Sequence, residues 1–442
     1  MDTPATGRPV IRICQRRFCL YNVAMDAKAY VIDLARSAKA ASGKLAVAGG
    51  AQRDGALLEA AKALRARSAE LAQANERDLA AAKKSKLSAA MIDRLTLSPK
   101  RIEGMALALE QIAAQTDPVG QAIAAYNRPN GLRIEKRRVP LGVIAIIFES
   151  RPNVTAEAAA LCLKSGNASI LRGGKEALQS NLAIGACLRE GLQKAGLPEA
   201  AVTVIDRTDH EVVGALATAE GLVDLIIPRG GEGLIRAVVE AATIPVIKHY
   251  AGNCHVYVHA DADLAMAEAI ALNAKCQRPA VCNAAETLLV DAAVAERFLP
   301  AVSLKLQEAG VELRGCQRSR KLVPSMKAAT EQDWLTEYLD LVLAVRVVDG
   351  LEQAIEHINT YGSHHTDAIV TGSLLAAERF VAGVDSSSVM VNASTRFSDG
   401  EEYGLGAEVG ISTDKLHARG PMGAQDLTTY KWIVTGAGQI KQ

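Results

Sequence analysis

A chain of 442 residues is long enough for about two or three domains, and 49% hydrophobic with 22% charged residues is an ordinary globular mixture. Its 50 basic and 49 acidic side chains leave a formal net charge of +1, so neither nucleic acid nor an anionic membrane has an electrostatic claim as main partner. No apolar run reaches the roughly 18 residues of a membrane span, and eight cysteines without paired short spacings or a secretory signal point to reduced thiols in a cytoplasmic protein.

Residues 1–24 carry four arginines and one acid ahead of a second methionine, Met25. A transit peptide would have that charge balance, but no clear amphipathic helix runs through the segment, so it reads as a disordered or mis-assigned extension. From Ala27 to about Ala114 the chain is rich in helix formers. Leu57, Ala61, Leu64, Ser68 and Leu71 fall near helical spacing, which predicts amphipathic scaffold helices. An Asn130-Gly131 turn between alternating runs at 123–126 and 132–137 predicts a β-hairpin.

From Gly142 strand and helix patterns alternate. Strands are expected at 142–148, 169–171, 202–205, 222–227 and 245–249, with helices between them at 156–164, 181–195 and 232–241. A second alternating block has strands at 286–290, 311–313, 341–347, 368–371 and 389–392 and helices near 293–309, 351–359 and 373–382. The fold class is therefore α/β, with two doubly wound units and a cleft between them for a cofactor and a substrate. Cys254-His255 beside His249 hints at a metal, but no CxxC or HExxH accompanies them, 254–258 reads as strand, and no metal is expected.

Three Gly-rich turns follow strands: Arg172-Gly173-Gly174-Lys175, residues 228–233, and Ala251-Gly252. In the second, Gly230 and Gly231 precede a helix starting at about Glu232, so free N–H groups and the helix dipole can hold a pyrophosphate. None is a GxGxxG fingerprint, and Glu176 stands where a P-loop has Ser or Thr, which disfavours a kinase. The chemistry points to Lys275–Val290, where Cys282 ends an irregular, cationic, Pro-containing run directly before an apolar strand. A sheet fixes such a loop while the sulfur stays accessible, and Lys275 and Arg278 would favour the thiolate if they faced it.

RPAVCNAAETLLV at 278–290 and FESRPNVTAEAAALCLKSGNASILRGGKEALQSN at 148–181 resemble the aldehyde dehydrogenase superfamily, in the branch that reduces glutamyl phosphate, and the similarity runs from about Ala27 to the C-terminus. The resemblance implies an aldehyde dehydrogenase-like fold with a small β oligomerisation arm. Residues 25–125 and 142–259 would bind NADPH, 126–141 and 425–442 would form the arm, and 260–424 would be catalytic. Cys282 would be the nucleophile. The usual oxyanion Asn lies in a motif this chain lacks; ungapped counting gives Glu149 and a small shift gives Asn153, which is preferred because only it can donate. Arg172 and Lys175 stand where the superfamily has Lys and a ribose-binding Glu, an exchange that favours the 2′-phosphate of NADPH over NAD. Glu337 matches the glutamate that holds the nicotinamide ribose, although Asp340 and Leu341 depart from that motif.

The stretch 249–254 matches the place of the superfamily's water-activating glutamate and has no carboxylate. Arg278, Arg396 and Arg419 are candidates for the substrate's phosphate and α-carboxylate. The implied partners are L-glutamyl 5-phosphate, glutamate 5-kinase as its source, and further copies of the chain in a homo-oligomer. An acyl-CoA enzyme on the same fold and a non-catalytic scaffold remain open; turnover of CoA thioesters, or no NADPH-dependent turnover at all, would favour them respectively.

Overall fold

The computed structural model describes residues 26–441; the expected extension at 1–24 lies outside them. Five helices lead the chain: Ala27–Leu45, Gly50–Ala66, Ser68–Lys84, Ala89–Leu95 and Pro99–Ala114. Their starts are set locally, by Asp26, Ser88 and Ser98 accepting from backbone N–H groups of the first turn and by Pro99 at the first helical position. Leu57, Ala61, Leu64 and Leu71 are buried as the stripe predicts. Ser68 instead opens a new helix after a break at Arg67.

The first sheet has four parallel strands, in the spatial order Val202–Val204, Ala168–Arg172, Val143–Phe148, Leu225–Arg229. Every residue of Val143–Phe148 is buried, as a central strand covered by helices on both faces requires. The second sheet has seven parallel strands, in the order Lys327–Ala328, Glu312–Gly315, Val342–Val348, Ala285–Asp291, Cys254–Val258, Thr366–Val370, Ser388–Val391. The arm is a separate antiparallel sheet of Ala122–Asn127, Arg133–Pro140 and Thr428–Thr435. Gly131, at φ +83°, makes its hairpin turn. Among the described residues no helix is long and apolar enough to cross a membrane.

Three expectations shift. The strand expected at 245–249 is reduced to a single bridge between Val246 and Ile226, because Pro245 has no N–H to donate and the chain then leaves the sheet. Cys254–Val258 pairs with Ala285–Asp291 and Thr366–Val370, and Val256 and Val258 lie in the second core, so the second sheet begins before the expected boundary at 259/260. The arm's first strand starts at Ala122, and Val409, Ala418, Met422, Ala424 and Leu427 pack into the first core, ahead of the arm's last strand.

Candidate active site

Cys282 lies in the loop 277–284 between helix Leu264–Cys276 and strand Ala285–Asp291. The strand is buried along its whole length, so the loop is anchored at its base. Asn283 Nδ2 donates to Ser398 O at 2.9 Å, and the Cys254 thiol donates to the Cys282 carbonyl at 3.2 Å. Gly252 lies directly against that carbonyl; any Cβ there would overlap it. The Gly252 N–H in turn donates to Glu337 at 2.8 Å, which ties that carboxylate to the backbone behind Cys282. Burial raises the Glu337 pKa, against the pull of that N–H.

Lys275 does not face the thiol. It is fully buried and pairs with Glu286 at 2.6 Å, and Glu286 also accepts from Leu339 N at 3.2 Å. Burial pushes the Glu286 carboxyl up, to about 7, against its lysine. The sequence placed Lys275 near Cys282, but it ends a helix whose last turn points inward, so its charge supports the loop from beneath.

The cations whose charges interact with Cys282 are Arg151 and Arg396, and Arg278 acts on both of them. Burial lowers the pKa of Arg151, and Arg229, Arg94 and Arg278 lower it further, while the Cys282 sulfur favours its charged form. Arg396 is lowered by burial and by Arg278, again with Cys282 acting the other way. Its Nε donates to Gln277 Oε1 at 2.9 Å, which holds it over the loop. Arg419 is engaged elsewhere, donating to the Asp385 carboxylate at 2.9 Å beside Lys415. Arg151 and Arg229 were not singled out from sequence. For Arg151 the signal was there, since it sits directly before Pro152, the first residue of helix Pro152–Lys164.

Two imidazoles complete the site. His249 Nδ1 contacts Ile411 O at 2.8 Å and must be the protonated nitrogen there, which leaves Nε2 a lone pair. His365 Nδ1 contacts Thr366 Oγ1 at 2.9 Å, and its Nε2 is buried without a partner. The two rings meet edge to face at 5.3 Å. One donor atom from each lies within 4.8 Å of the other and of the Cys282 sulfur. Burial pushes His365 down to about 4, so it is neutral near pH 7 and one of its ring nitrogens keeps a lone pair. Neither was a sequence candidate for work on Cys282. The pair that did suggest a metal is otherwise occupied: Cys254 bonds to the Cys282 carbonyl, and His255 Nδ1 is held by Asp367 at 2.8 Å.

At the Gly-rich turns expected to hold a cofactor, Gly230 and Gly231 precede helix Glu232–Ala241. The Gly231 N–H donates to Glu149 at 3.0 Å, so a carboxylate already stands at the helix N-terminus where an anion belongs. A Cβ at Gly173 would overlap the Asn181 amide, and one at Gly174 would press on Ser150 N, so that turn too needs its glycines for close approach. Lys175 is exposed at the start of a short 3₁₀ turn. Arg172 is buried and donates to Gly173 O and Thr208 O, both at 3.1 Å, bracing the turn rather than reaching out of it. Asn153 donates to Glu157 at 3.1 Å. Glu149, the alternative from counting, is turned to Gly231 instead.

A model of the aldehyde dehydrogenase family matches residues 15–340. The structure is similar to that of gamma-glutamyl phosphate reductase from Thermotoga maritima, at 44% identity and TM-score 0.92, covering 93% of this chain and 100% of that one. It is also similar to gamma-glutamyl phosphate reductase from Saccharomyces cerevisiae, at 32% identity and TM-score 0.53 over 95% of this chain and 99% of that one. An acetylating aldehyde dehydrogenase from Geobacillus thermoglucosidasius shares the fold at 18% identity and TM-score 0.65, with 94% and 98% covered. The chain belongs to the aldehyde dehydrogenase family, on the branch of the gamma-glutamyl phosphate reductases.

Proposed function

We propose that the enzyme reduces L-glutamyl 5-phosphate to L-glutamate 5-semialdehyde and phosphate through a thioester on Cys282, a step of proline biosynthesis, with NADPH as reductant. The observation that carries this reading is Cys282 on a loop fixed from beneath, with Arg151 and Arg396 interacting electrostatically with its sulfur and Arg278 with both arginines. Guanidinium groups suit a dianionic phosphate and an α-carboxylate better than a neutral aldehyde. Cys282 attacks the acyl carbon, the bond from that carbon to the phosphate oxygen breaks, and phosphate leaves with the electron pair. The Cys282 N–H and an amide, Asn153 in our reading, hold the oxyanion. NADPH, when bound, supplies the hydride. The thiohemiacetal on Cys282 then collapses, the thiolate is expelled and the semialdehyde is free to cyclise to 1-pyrroline-5-carboxylate.

Gly230, Gly231 and Lys175 would take the phosphates of NADPH, with Arg172 bracing the turn and Glu337 on the nicotinamide ribose. Arg278 and Arg396 would take the substrate's charges; Arg419 would have to exchange Asp385 for substrate to join them. Exposed Ile123, Tyr126, Tyr430, Trp432 and Val434 on the arm favour its pairing with another copy. Glutamate 5-kinase would supply the labile acyl phosphate in the cytoplasm.

Water activation separates this reading from a dehydrogenase that hydrolyses its thioester to the free acid. The stretch 249–254 carries no carboxylate. In reverse, semialdehyde and NADP should therefore give NADPH only with phosphate or arsenate present, with a difference of about 10²–10⁴-fold. Oxidation to free glutamate at a comparable rate without either would overturn the proposal, and turnover with CoA alone would favour the acyl-CoA alternative.

A further inference from the structure

The reduction needs the sulfur of Cys282, but it does not need two imidazoles around it. His365 Nε2 is a fully buried polar atom with no partner, and buried polar atoms seldom stay unsatisfied without a reason. His249 keeps Nε2 free because its other nitrogen serves Ile411. The Cys282 sulfur, one ring nitrogen of His249 and one of His365 all lie within 4.8 Å of one another. We propose that Cys282, His249 and His365 form a reversible site for a thiophilic divalent cation, of which zinc is the type, and that its occupancy caps the nucleophile.

The donor set is that of a three-ligand zinc site with the fourth position open. Zinc bonds of about 2.3 Å to sulfur and about 2.0–2.1 Å to nitrogen place ligand atoms about 3.3–3.7 Å apart around a tetrahedral ion, so closing the site asks for movement of about an ångström. His249, on a partly exposed irregular segment, and rotation of the Cys282 side chain on its fixed backbone can supply it, while His365 is fixed immediately before strand Thr366–Val370. The arginines around Cys282 oppose a cation. Glu337, Asp367 and Glu408 act on His365 in the opposite sense. Binding forms a sulfur–metal bond and releases the thiol proton to water; the imidazoles bind through lone pairs, and nothing is oxidised.

The binding site rests on geometry alone, whereas loss of turnover rests also on Cys282 being the nucleophile. The full chain, stripped with chelator, would be treated with iodoacetamide with and without zinc, and alkylation of the Cys282 peptide followed by mass. Cobalt in place of zinc would be read by its sulfur-to-metal charge-transfer absorption. We expect one equivalent bound, Cys282 protected at least about tenfold, and full recovery with chelator. His249→Gln and His365→Gln should each weaken zinc by more than the about 10- to 100-fold that loss of a group merely hydrogen-bonded to a ligand costs. Equal alkylation rates with and without zinc in the wild type would overturn the site even if the histidine variants fold poorly. So would a cobalt band lost in Cys254→Ala but kept in Cys282→Ser. Metal bound at Cys282 with turnover intact would leave the site standing and overturn Cys282 as nucleophile.

Discussion

The two sides of the cleft are built by different rules. Around Cys282 the supporting contacts are buried and spent: Lys275 on Glu286, Asn283 on Ser398, Gly252 against the Cys282 carbonyl. Around Gly230 and Gly231 they are exchangeable, since Lys175 and Glu232 are exposed and the helix N-terminus holds Glu149, an exposed side chain that can leave. The difference follows from what each side must do. A nucleophile displaced by about an ångström can lose about 10²-fold, so its backbone is locked; a cofactor must enter and leave every cycle, so its anion site keeps a replaceable partner.

Removing the sulfur tests the locked side most severely. Cys282→Ala should abolish turnover by several powers of ten while the fold and NADPH binding survive, and more than about a hundredth of wild-type activity would end covalent catalysis here. Cys276→Ala should cost far less. Gly252→Ala leaves the sulfur in place but drives a methyl into the Cys282 carbonyl. Its kcat should fall about a hundredfold or more with little change in NADPH affinity. Steady-state kinetics beside cofactor titration would show it, and equal kcat would mean that the loop is not locked.

Glu286→Gln probes the support below the loop. It strands a fully buried Lys275 charge and should cost about 3–5 kcal/mol, read as a lowered midpoint in urea. Pairing Lys275→Met with Glu286→Leu removes both charges and should recover most of that stability. Activity should not return with it, because Leu339 N loses its acceptor two residues from Glu337. Recovery of both together would make the pair purely structural.

What the sequence revealed divides along the same line. Strands such as Ala285–Asp291 and Val143–Phe148 were legible because each is short, apolar and bounded by turns, and helix Glu232–Ala241 was legible to the residue. The position of Cys282 before its strand was legible for the same reason. His249 and His365 as its neighbours were not, since they come from separate segments that only the second sheet brings together. Lys275 misled because closeness along the chain says nothing about which way a helical residue points. Arg419 misled because a guanidinium in a loop says nothing about whether an acid such as Asp385 already holds it.

The smallest expected effect lies on the exchangeable side. Lys175 is exposed, and no hydrogen bond or ion pair engages it among the described residues, whereas Arg172 in the same turn is buried on two carbonyls. On the proposed function the two cations expected to serve a 2′-phosphate would therefore divide the work, with Arg172 bracing the turn and Lys175 left to meet the ligand. Lys175→Glu replaces an attraction with a repulsion and restores the residue type that binds the ribose hydroxyls of NAD. One charge-assisted contact corresponds to roughly ten- to a hundredfold in specificity, so the kcat/KM ratio of NADPH to NADH should fall by that factor without change in kcat for saturating NADPH. Arg172→Ala should instead weaken both cofactors together, because it loosens the turn they share. Equal specificity constants for the two cofactors in the wild type would remove the NADPH assignment, and a selective loss in Arg172→Ala with none in Lys175→Glu would reverse the roles of the two cations.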